Sequence, residues 1–370
     1  MKGLVIWAQS DCRSMMGLYR SIISIVSFPV KVVVRDYKAE GQRQKVGFKH
    51  EEFCDIKFFV IGEDYVKGLK ILDAYRGYHQ LFASYQNAPV YRKLILEAKR
   101  RGEHVGVLSE SPCVMENGLR GWLKKNIYYP IVLKHRVEAV IEACDFIVNL
   151  SGDSSHALRQ IGWHVEQIVP FGYFPPPIVG SKAILRSTND DFHILVTGLM
   201  TWHRAPDVVM HALALLKRWG VTYRATFTQS GPMLKMLERI AHENDLPVRF
   251  SGCLSMEELI KLYETCSVYV AAGRCEPWGM RLNDALQCGA PLMISRGMGG
   301  VQLVDEYGCG MSFDTDDYLE LAWKLRALIE NRKKYSDICN NAITAARCVS
   351  PDFKASHLIK TLSARFKGWF

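Results

Sequence analysis

The chain has 370 residues, 48% of them apolar and 23% charged, which is typical of a globular protein with room for two domains. Its eleven cysteines include no CxxC pair and no His/Cys cluster with zinc spacing, which argues against a zinc module and favours a reducing compartment. The longest apolar stretch, 22–34, is broken by Pro29 and Lys31 and is too short to span a bilayer. Because the first residues run directly into a strand-like segment, we expect no signal peptide and a cytoplasmic protein, at most peripheral on the inner face of a membrane.

The net charge is +9, of which residues 1–175 carry +6. A basic surface can attract nucleic acid, an anionic membrane or an acidic substrate, and it is equally typical of an ordinary solvated surface. The chain has no RNA-binding signature and no zinc finger, so we expect no nucleic-acid partner.

Apolar, β-rich segments alternate with helical patterns along the whole chain, which predicts βα units and parallel sheets. In the first half the predicted strands are 3–8, 30–35, 57–61, 79–85, 104–108, 145–149 and 165–169. Helical patterns lie between these strands, for example over 89–101 and 131–143. Three consecutive prolines at 175–177 stiffen a connector, and we place a domain boundary there, between residues 1–175 and 176–350.

The same alternation restarts after the connector. The predicted strands are 192–197, 223–228, 248–250 and 268–272, with helices over 207–219 and 233–244. A last helix, 352–367, follows Ser350-Pro351 and forms a separate C-terminal segment, 351–370. The fold class is therefore α/β, and ligands are expected beyond the carboxyl ends of the strands.

The densest chemical signal is the segment 272–291, in which a strand is followed by Glu276, Pro277 and a helical pattern that stops at Gly289. A helix starting at Pro277 would direct the backbone amides of Trp278, Gly279 and Met280 at a phosphate. Glu276 lies at the mouth of this site, and Asp284 lies eight residues further, about 12 Å along a helix. The alternative is that Glu276 caps the helix and Asp284 is a solvated helix residue.

This segment resembles the signature of the retaining glycosyltransferases of family 4, within glycosyl transferases group 1: a glutamate, a Pro-x-Gly turn and a second acidic residue eight positions later. The resemblance covers about 192–313. It implies the GT-B architecture, in which two Rossmann-like αβα domains face each other across a cleft and the last helix crosses back to the N-terminal domain. It also implies that Glu276 contacts the donor sugar and that Asp284, shorter than the usual glutamate, holds the ribose hydroxyls.

Two further loops match this family. The resemblance implies that Gly252 and Cys253 lie beside the nucleotide base, and that Gly299 and Gly300 form the glycine-rich turn of the donor site. The alternative for the two adjacent glycines is an ordinary tight turn.

One departure from the family concerns the cations that follow the strand ending at Gly198. The family has an arginine directly after this strand, whereas this chain has Leu199. The second cationic position is taken by Arg204, which can bind phosphate bidentately, with His203 beside it. The alternative is that Arg204 is a solvated cation close to the start of a helix.

In the first half, the family resemblance rests on layout. Arg13 follows the first strand and is our candidate for a replacement diphosphate cation, or else a salt-bridged surface arginine. Glu110 stands close to the place where many members have a histidine, and its carboxylate is expected to orient the acceptor or accept its proton, or else to cap the next helix.

The segment 119–129 mixes cations with aromatic residues, a composition that suits either an anionic membrane surface or ordinary packing. The aromatic tail 366–370 is similar, and for the tail we favour packing.

Together these observations predict a retaining glycosyltransferase that moves a sugar from a nucleotide-sugar donor to a glycan or lipid-linked acceptor in surface polysaccharide or lipopolysaccharide assembly. We expect no metal and no other cofactor, because cations supply the charge and no Asp-x-Asp pair is suited to a metal. One alternative is an inactive nucleotide-sugar-binding protein, suggested by Leu199. A second is a dinucleotide-dependent oxidoreductase, which the absence of GxGxxG after the first strand of either half disfavours.

Overall fold

The structure is a computed structural model that describes residues 2–10, 13–36, 56–186 and 191–370, except for the side chains of Arg13 and Ser14. The chain divides into two units. Unit 1 comprises Met1–Pro112, Trp122–Pro176 and Ser350–Phe370, and unit 2 comprises Cys113–Gly121 and Pro177–Val349.

The sheet of unit 1 is parallel throughout its described strands, with the order β3-β2-β1-β4-β5-β6-β7. The strands are β1 (Leu4–Ser10), β2 (Val30–Asp36), β3 (Phe58–Val60), β4 (His79–Ala83), β5 (Val105–Ser109), β6 (Phe146–Asn149) and β7 (Ile168–Pro170). The helices are α1 (Arg13–Ile25), α2 (Tyr65–Ala74), α3 (Pro89–Arg100), α4 (Gly118–Leu123), α5 (Lys134–Ala143) and α6 (His156–Gln160). The central strands are buried along their length, as expected for strands covered by helices on both faces.

A π-helical segment, Lys124–Leu133, precedes α5, where the sequence predicts an α-helix from residue 131. Pro130 lies inside this segment and has no N–H to donate. The helix widens here, and the amide of Lys134 bonds to the carbonyl of Tyr129, five residues earlier. A second difference concerns the predicted strand 165–169, which is a 3₁₀ turn over Val165–Gln167 followed by β7.

Unit 2 has a second parallel sheet with the order β10-β9-β8-β11-β12-β13. Its strands are β8 (His193–Val196), β9 (Arg224–Thr228), β10 (Val248–Gly252), β11 (Val268–Ala271), β12 (Leu292–Ser295) and β13 (Gly310–Phe313). Its helices are α7 (Pro206–Arg218), α8 (Leu234–Glu243), α9 (Met256–Thr265), α10 (Arg281–Gln287), α11 (Gln302–Tyr307), α12 (Tyr318–Glu330) and α13 (Arg332–Cys348). The strand order reverses direction between β8 and β11, which is where ligands bind in open α/β sheets.

The last helix, α14 (Pro351–Arg365), belongs to unit 1 and packs against α1. The Ser21 hydroxyl donates to the carboxylate of Asp352 at 2.5 Å, and Gly17 leaves room for Pro176 and Pro351. Beyond α14 the tail is packed, as favoured from the sequence, because Trp369 is buried against Phe146. In the described ranges, no helix is long and apolar enough to cross a membrane.

Candidate functional site

The candidate site is built on the loops that follow β8 and β11. These strands are parallel neighbours, so their carboxyl ends meet at one edge of the sheet. The β8 loop carries Gly198 and a 3₁₀ turn, Trp202–Arg204. The β11 loop carries Arg274 and Glu276. Residues about 70 positions apart in the sequence are thereby brought to one place.

The loop of Glu276 runs alongside the glycine-rich turn. The amide of Glu276 donates to the carbonyl of Gly297 at 3.2 Å, and the amide of Gly299 donates to the carbonyl of Glu276 at 3.0 Å. The amide of Gly300 bonds to the carbonyl of Trp278, so close that a Cβ on Gly300 would lie 2.6 Å from that oxygen. Glycine is therefore required at position 300 by close backbone packing against the Glu276 loop.

The helix expected to begin at Pro277 begins four residues later, at Arg281, which corrects the sequence prediction. Gly279 has a φ of +94°, which no α-helix accommodates, so residues 277–280 form a turn. In the described part of the chain, no group accepts a hydrogen bond from the amides of Gly279 and Met280. These two amides can therefore donate to a ligand, although they precede the first turn of α10. The Trp278 side chain is buried and donates to Asn283 at 2.8 Å.

Arg204 and Glu276 lie together at the end of β8. The Nε atom of Arg204 is 4.0 Å from a carboxylate oxygen of Glu276. The guanidinium also lies directly over Gly198, where a Cβ would overlap it, and Gly198 has a φ of +115°. Arg204 Nε is buried and has no hydrogen-bond acceptor among the described residues. Such an orphaned donor indicates a ligand oxygen at this position.

His203 belongs to the same cluster. Its pKa is lowered chiefly by burial and further by Arg204, while Glu276 and Glu116 act in the opposite direction. The imidazole is therefore neutral at physiological pH and can donate a hydrogen bond without adding charge.

Arg274 holds the 3₁₀ turn in place, a role that the sequence alone did not reveal. Its guanidinium binds Asp207 and Asp316, both at 2.6 Å, and donates to the carbonyl of Trp202 at 2.7 Å. The Arg274 amide donates to the carbonyl of His203. Burial acts to lower the pKa of Arg274, but Asp207 and Asp316 outweigh it and raise the pKa. This permanently charged residue therefore ties the loops after β8 and β11 to each other.

Asp284 is buried, with 7% of its side chain exposed, and is not the solvated helix residue of the alternative interpretation. One of its carboxylate oxygens lies 3.4 Å from the guanidinium of Arg281 on the preceding turn of α10. The carboxylate thus lies beside a cation inside the same helix.

The loop predicted to meet the base follows β10. The carbonyl of Gly252 accepts the amide of Gln229 at 2.5 Å, and Cys253 is an exposed free thiol. Within the described ranges, no hydrogen bond or ion pair joins this loop to Glu276 or Arg204, as expected because β10 lies two strands away from β8 in the sheet.

In unit 1, Glu110 follows β5 and accepts a hydrogen bond from the Tyr173 hydroxyl at 2.8 Å. Its backbone carbonyl accepts from the Gln86 amide at 3.0 Å. The side chain of Arg13 lies outside the described residues, as do Asp11 and Cys12 just before it.

A short segment, 113–121, belongs to unit 2 and lies against the Glu276 loop. A disulfide joins Cys113 to Cys275, 162 residues apart, a pairing that the sequence did not predict. Glu116 of this segment acts on His203 electrostatically. Sequence spacing offered no signal for either contact.

Among the described residues no group of His, Cys, Asp or Glu side chains is arranged to bind a metal. The pair Asp314 and Asp316 has Asp-x-Asp spacing, but these carboxylates bind Arg296 and Arg274.

The segment 119–129 exposes a different set of apolar side chains from those expected. Trp122 is 56% exposed, whereas Tyr128 and Tyr129 are half-buried and pack against the core of unit 1. The exposed apolar residues in and just after the segment are Leu119, Trp122, Leu123, Ile127, Ile131 and Val132.

Comparisons with known proteins agree with this fold. Residues 181–345 match the family described as glycosyl transferases group 1. A 100-residue stretch is 32% identical to the GDP-mannose-dependent alpha-(1-6)-phosphatidylinositol dimannoside mannosyltransferase of Mycobacterium tuberculosis, covering 27% of this chain and only 26% of that relative. This chain thus matches about a quarter of that relative's length.

Two solved structures are similar over nearly the whole chain. Anabaena HepE in complex with UDP and glucose has a TM-score of 0.66 at 15% identity, covering 98% of this chain and 100% of that one. The lipopolysaccharide outer core galactosyltransferase WaaB has a TM-score of 0.68 at 10% identity, covering 99% and 100%. The chain therefore has the expected GT-B fold, and its residues 181–345 are similar to the family described as glycosyl transferases group 1.

Proposed function

We propose that this chain is a retaining glycosyltransferase that moves a sugar from a nucleotide-sugar donor, bound by unit 2, to a glycan or lipid-linked glycan acceptor. The observation that carries the proposal is the cluster of Arg204, Glu276 and His203 at the end of β8, within a domain of a glycosyltransferase family.

Each residue of the cluster has a role in this reaction. When the glycosidic bond to the donor phosphate breaks, negative charge develops on the leaving diphosphate. Arg204 stabilises that charge, and its orphaned Nε is the donor placed for it. Glu276 accepts hydrogen bonds from sugar hydroxyls, and the neutral His203 donates one. Asp284 accepts from the ribose hydroxyls. No metal is assigned, because arginine and backbone amides supply the positive charge.

The names of the relatives support the proposed substrate class. HepE was solved with UDP and glucose, the mycobacterial relative is named as GDP-mannose-dependent, and WaaB is a lipopolysaccharide galactosyltransferase. These names support a nucleotide sugar as the donor and a place in surface polysaccharide or lipopolysaccharide assembly. Glu110, held by Tyr173 in unit 1, is proposed to orient the acceptor or accept its proton.

The test is a screen of UDP-, GDP- and ADP-sugars for hydrolysis and transfer, with Glu276→Gln as the variant and the exposed Glu257→Gln as its control. We expect Glu276→Gln to lower turnover by about 100-fold or more, since it weakens a contact to the reacting sugar. Asp284→Asn should chiefly weaken nucleotide binding. Wild-type turnover in Glu276→Gln would contradict the assignment.

Two other outcomes discriminate between functions. A protein that binds nucleotide sugars but neither hydrolyses nor transfers them is the binding protein that Leu199 suggested. Thermal stabilisation by NAD alone would indicate an oxidoreductase. Analysis of the product anomer by NMR tests retention directly.

A further inference from the structure

Two arginines flank the end of β8, and only one of them was expected from the sequence. The hydroxyl of Thr197 is 3.1 Å from the Tyr263 hydroxyl and 3.0 Å from the Tyr269 hydroxyl. The next residue, Gly198, is covered by the Arg204 guanidinium. The chain at Thr197 and Gly198 therefore contacts both a pair of tyrosines and a cation.

Arg281 contacts one of these two tyrosines. Its guanidinium makes a side-chain hydrogen bond with Tyr263 and lies 3.4 Å from the carboxylate of Asp284. Its side chain is 22% exposed, compared with 36% for Arg204, so both cations are largely withdrawn from water yet reach the surface.

The site thus contains two arginine–carboxylate pairs. In one pair Arg204 lies beside Glu276, and in the other Arg281 lies beside Asp284. Under the proposed function, the two carboxylates hold the two ends of the donor, Glu276 the sugar and Asp284 the ribose. The diphosphate is the part of the donor between those ends.

We propose that Arg281 is a second diphosphate-binding residue, so that the diphosphate of the donor bridges the two arginine–carboxylate pairs. This inference rests on the proposed function and identifies which residue supplies the charge that Leu199, 49% exposed and apolar, does not.

The charges favour this assignment. A nucleoside diphosphate brings two to three negative charges, and two cations neutralise it better than one. A guanidinium has five N–H donors, so Arg281 can hold Asp284 and Tyr263 and still donate to a phosphate oxygen. Burial acts to lower the pKa of Arg281, but Tyr263 and Asp284 outweigh it, and the residue remains a cation. Arg281 contacts Tyr263, which bonds to Thr197, and Arg204 covers the next residue, Gly198, so both cations lie at the end of β8.

The experiment compares ligands with and without phosphate. Affinities of the full chain for UDP, GDP and ADP, and for uridine, guanosine and adenosine, are measured by calorimetry for the wild type, Arg281→Met and Arg281→Lys. We expect Arg281→Met to weaken binding of the preferred diphosphate about 10- to 100-fold, the scale of a lost charge-assisted hydrogen bond. Affinity for the matching nucleoside should be nearly unchanged, and Arg281→Lys should recover part of the loss. Arg239→Met, at an exposed position on α8, is the control.

The outcomes separate this inference from the proposed function. An equal loss for diphosphate and nucleoside would show that Arg281 merely holds Asp284, and unchanged diphosphate binding would remove it from the site. Thermal unfolding of each variant excludes a loss of fold as the cause. If the wild type binds a diphosphate but transfers no sugar, the proposed activity fails while the role of Arg281 is still measured by binding. If it binds none of the three diphosphates, both fail.

Discussion

At the scale of single residues, the site depends on the absence of a side chain at Gly198. A side chain there would enter the space of the Arg204 guanidinium, and its φ of +115° is strained for any other residue. Gly198 therefore shapes the position of a cation six residues away. The same logic applies at Gly300, where a Cβ would press on the carbonyl of Trp278.

This leads to a double-mutant prediction. Arg204→Ala should cost about 2–3 kcal/mol of nucleoside diphosphate binding, the scale of a charge-assisted hydrogen bond. Gly198→Ala should cost a similar amount, because it displaces the same guanidinium. The double variant should lose no more than the larger single loss, since both act through one interaction. Calorimetry on the three variants checks this, and fully additive losses would show that Gly198 does not act through Arg204.

At the scale of elements, strand β8 begins with a buried titratable residue and leads into the loop of the candidate site. His193 opens the strand, is fully buried, and bonds through Nε2 to the Thr226 hydroxyl of β9 at 2.9 Å. Burial, with a smaller contribution from Arg224, lowers the pKa of His193 to about 4. The strand that carries Thr197 and Gly198 is therefore anchored by a histidine that must stay neutral.

This histidine predicts a dependence of stability on pH. The unfolded chain protonates His193 near pH 6.5, whereas the folded protein resists protonation until about pH 4. The stability associated with neutral His193 is complete above pH 6.5 and is lost as pH falls toward 4. Between pH 7.5 and 5 the free energy of unfolding should fall by about 2 kcal/mol from this residue.

Urea unfolding at the two pH values measures the effect. His193→Gln should lose about 2 kcal/mol less than the wild type over this interval. The exposed His242→Gln is the control and should follow the wild type. An identical pH dependence in His193→Gln would contradict the assignment.

At the scale of the whole molecule, the end of the chain completes unit 1. Helix α14 packs on α1, and the Trp369 indole donates to the carboxylate of Asp145 at 2.9 Å.

The segment 119–129 presents exposed apolar side chains, among them Trp122 and Ile127, next to Lys124 and Lys125. We expect this surface to meet an anionic membrane when the acceptor is lipid-linked, since the lipid tail stays in the bilayer.

Liposome co-sedimentation tests this expectation. Each cation near an anionic surface contributes about 1 kcal/mol, so changing Lys124 and Lys125 to Glu should lower binding to anionic liposomes at least about tenfold at low salt. High salt should weaken wild-type binding as screening increases. The control changes Lys333 and Lys334 of α13, both exposed, to Glu. Equal binding to neutral and anionic liposomes, or no loss in the Lys124/Lys125 variant, would favour a soluble acceptor.

The sequence by itself determined where most strands and helices lie and singled out the segment that we propose binds the donor. These features are local: hydrophobic periodicity, glycine and proline positions, and the spacing of Glu276 and Asp284 operate within one element and its neighbours. One predicted helix start was wrong because residues that are distant in the sequence pack against it. Pro277 indicates a helix start, but the packing of residues 276–278 against the glycine-rich turn moves the start to Arg281.

The contacts that assemble the site were decided only by the tertiary structure. Arg204 meets Glu276 because β8 and β11 are neighbours in the sheet, although β9 and β10 separate them in the chain. The same pairing lets Arg274 bind Asp207. The disulfide between Cys113 and Cys275 likewise joins residues that are far apart in the sequence. A sequence shows which side chains are present, but not which of them share a strand end, because that depends on the order in which the strands pair.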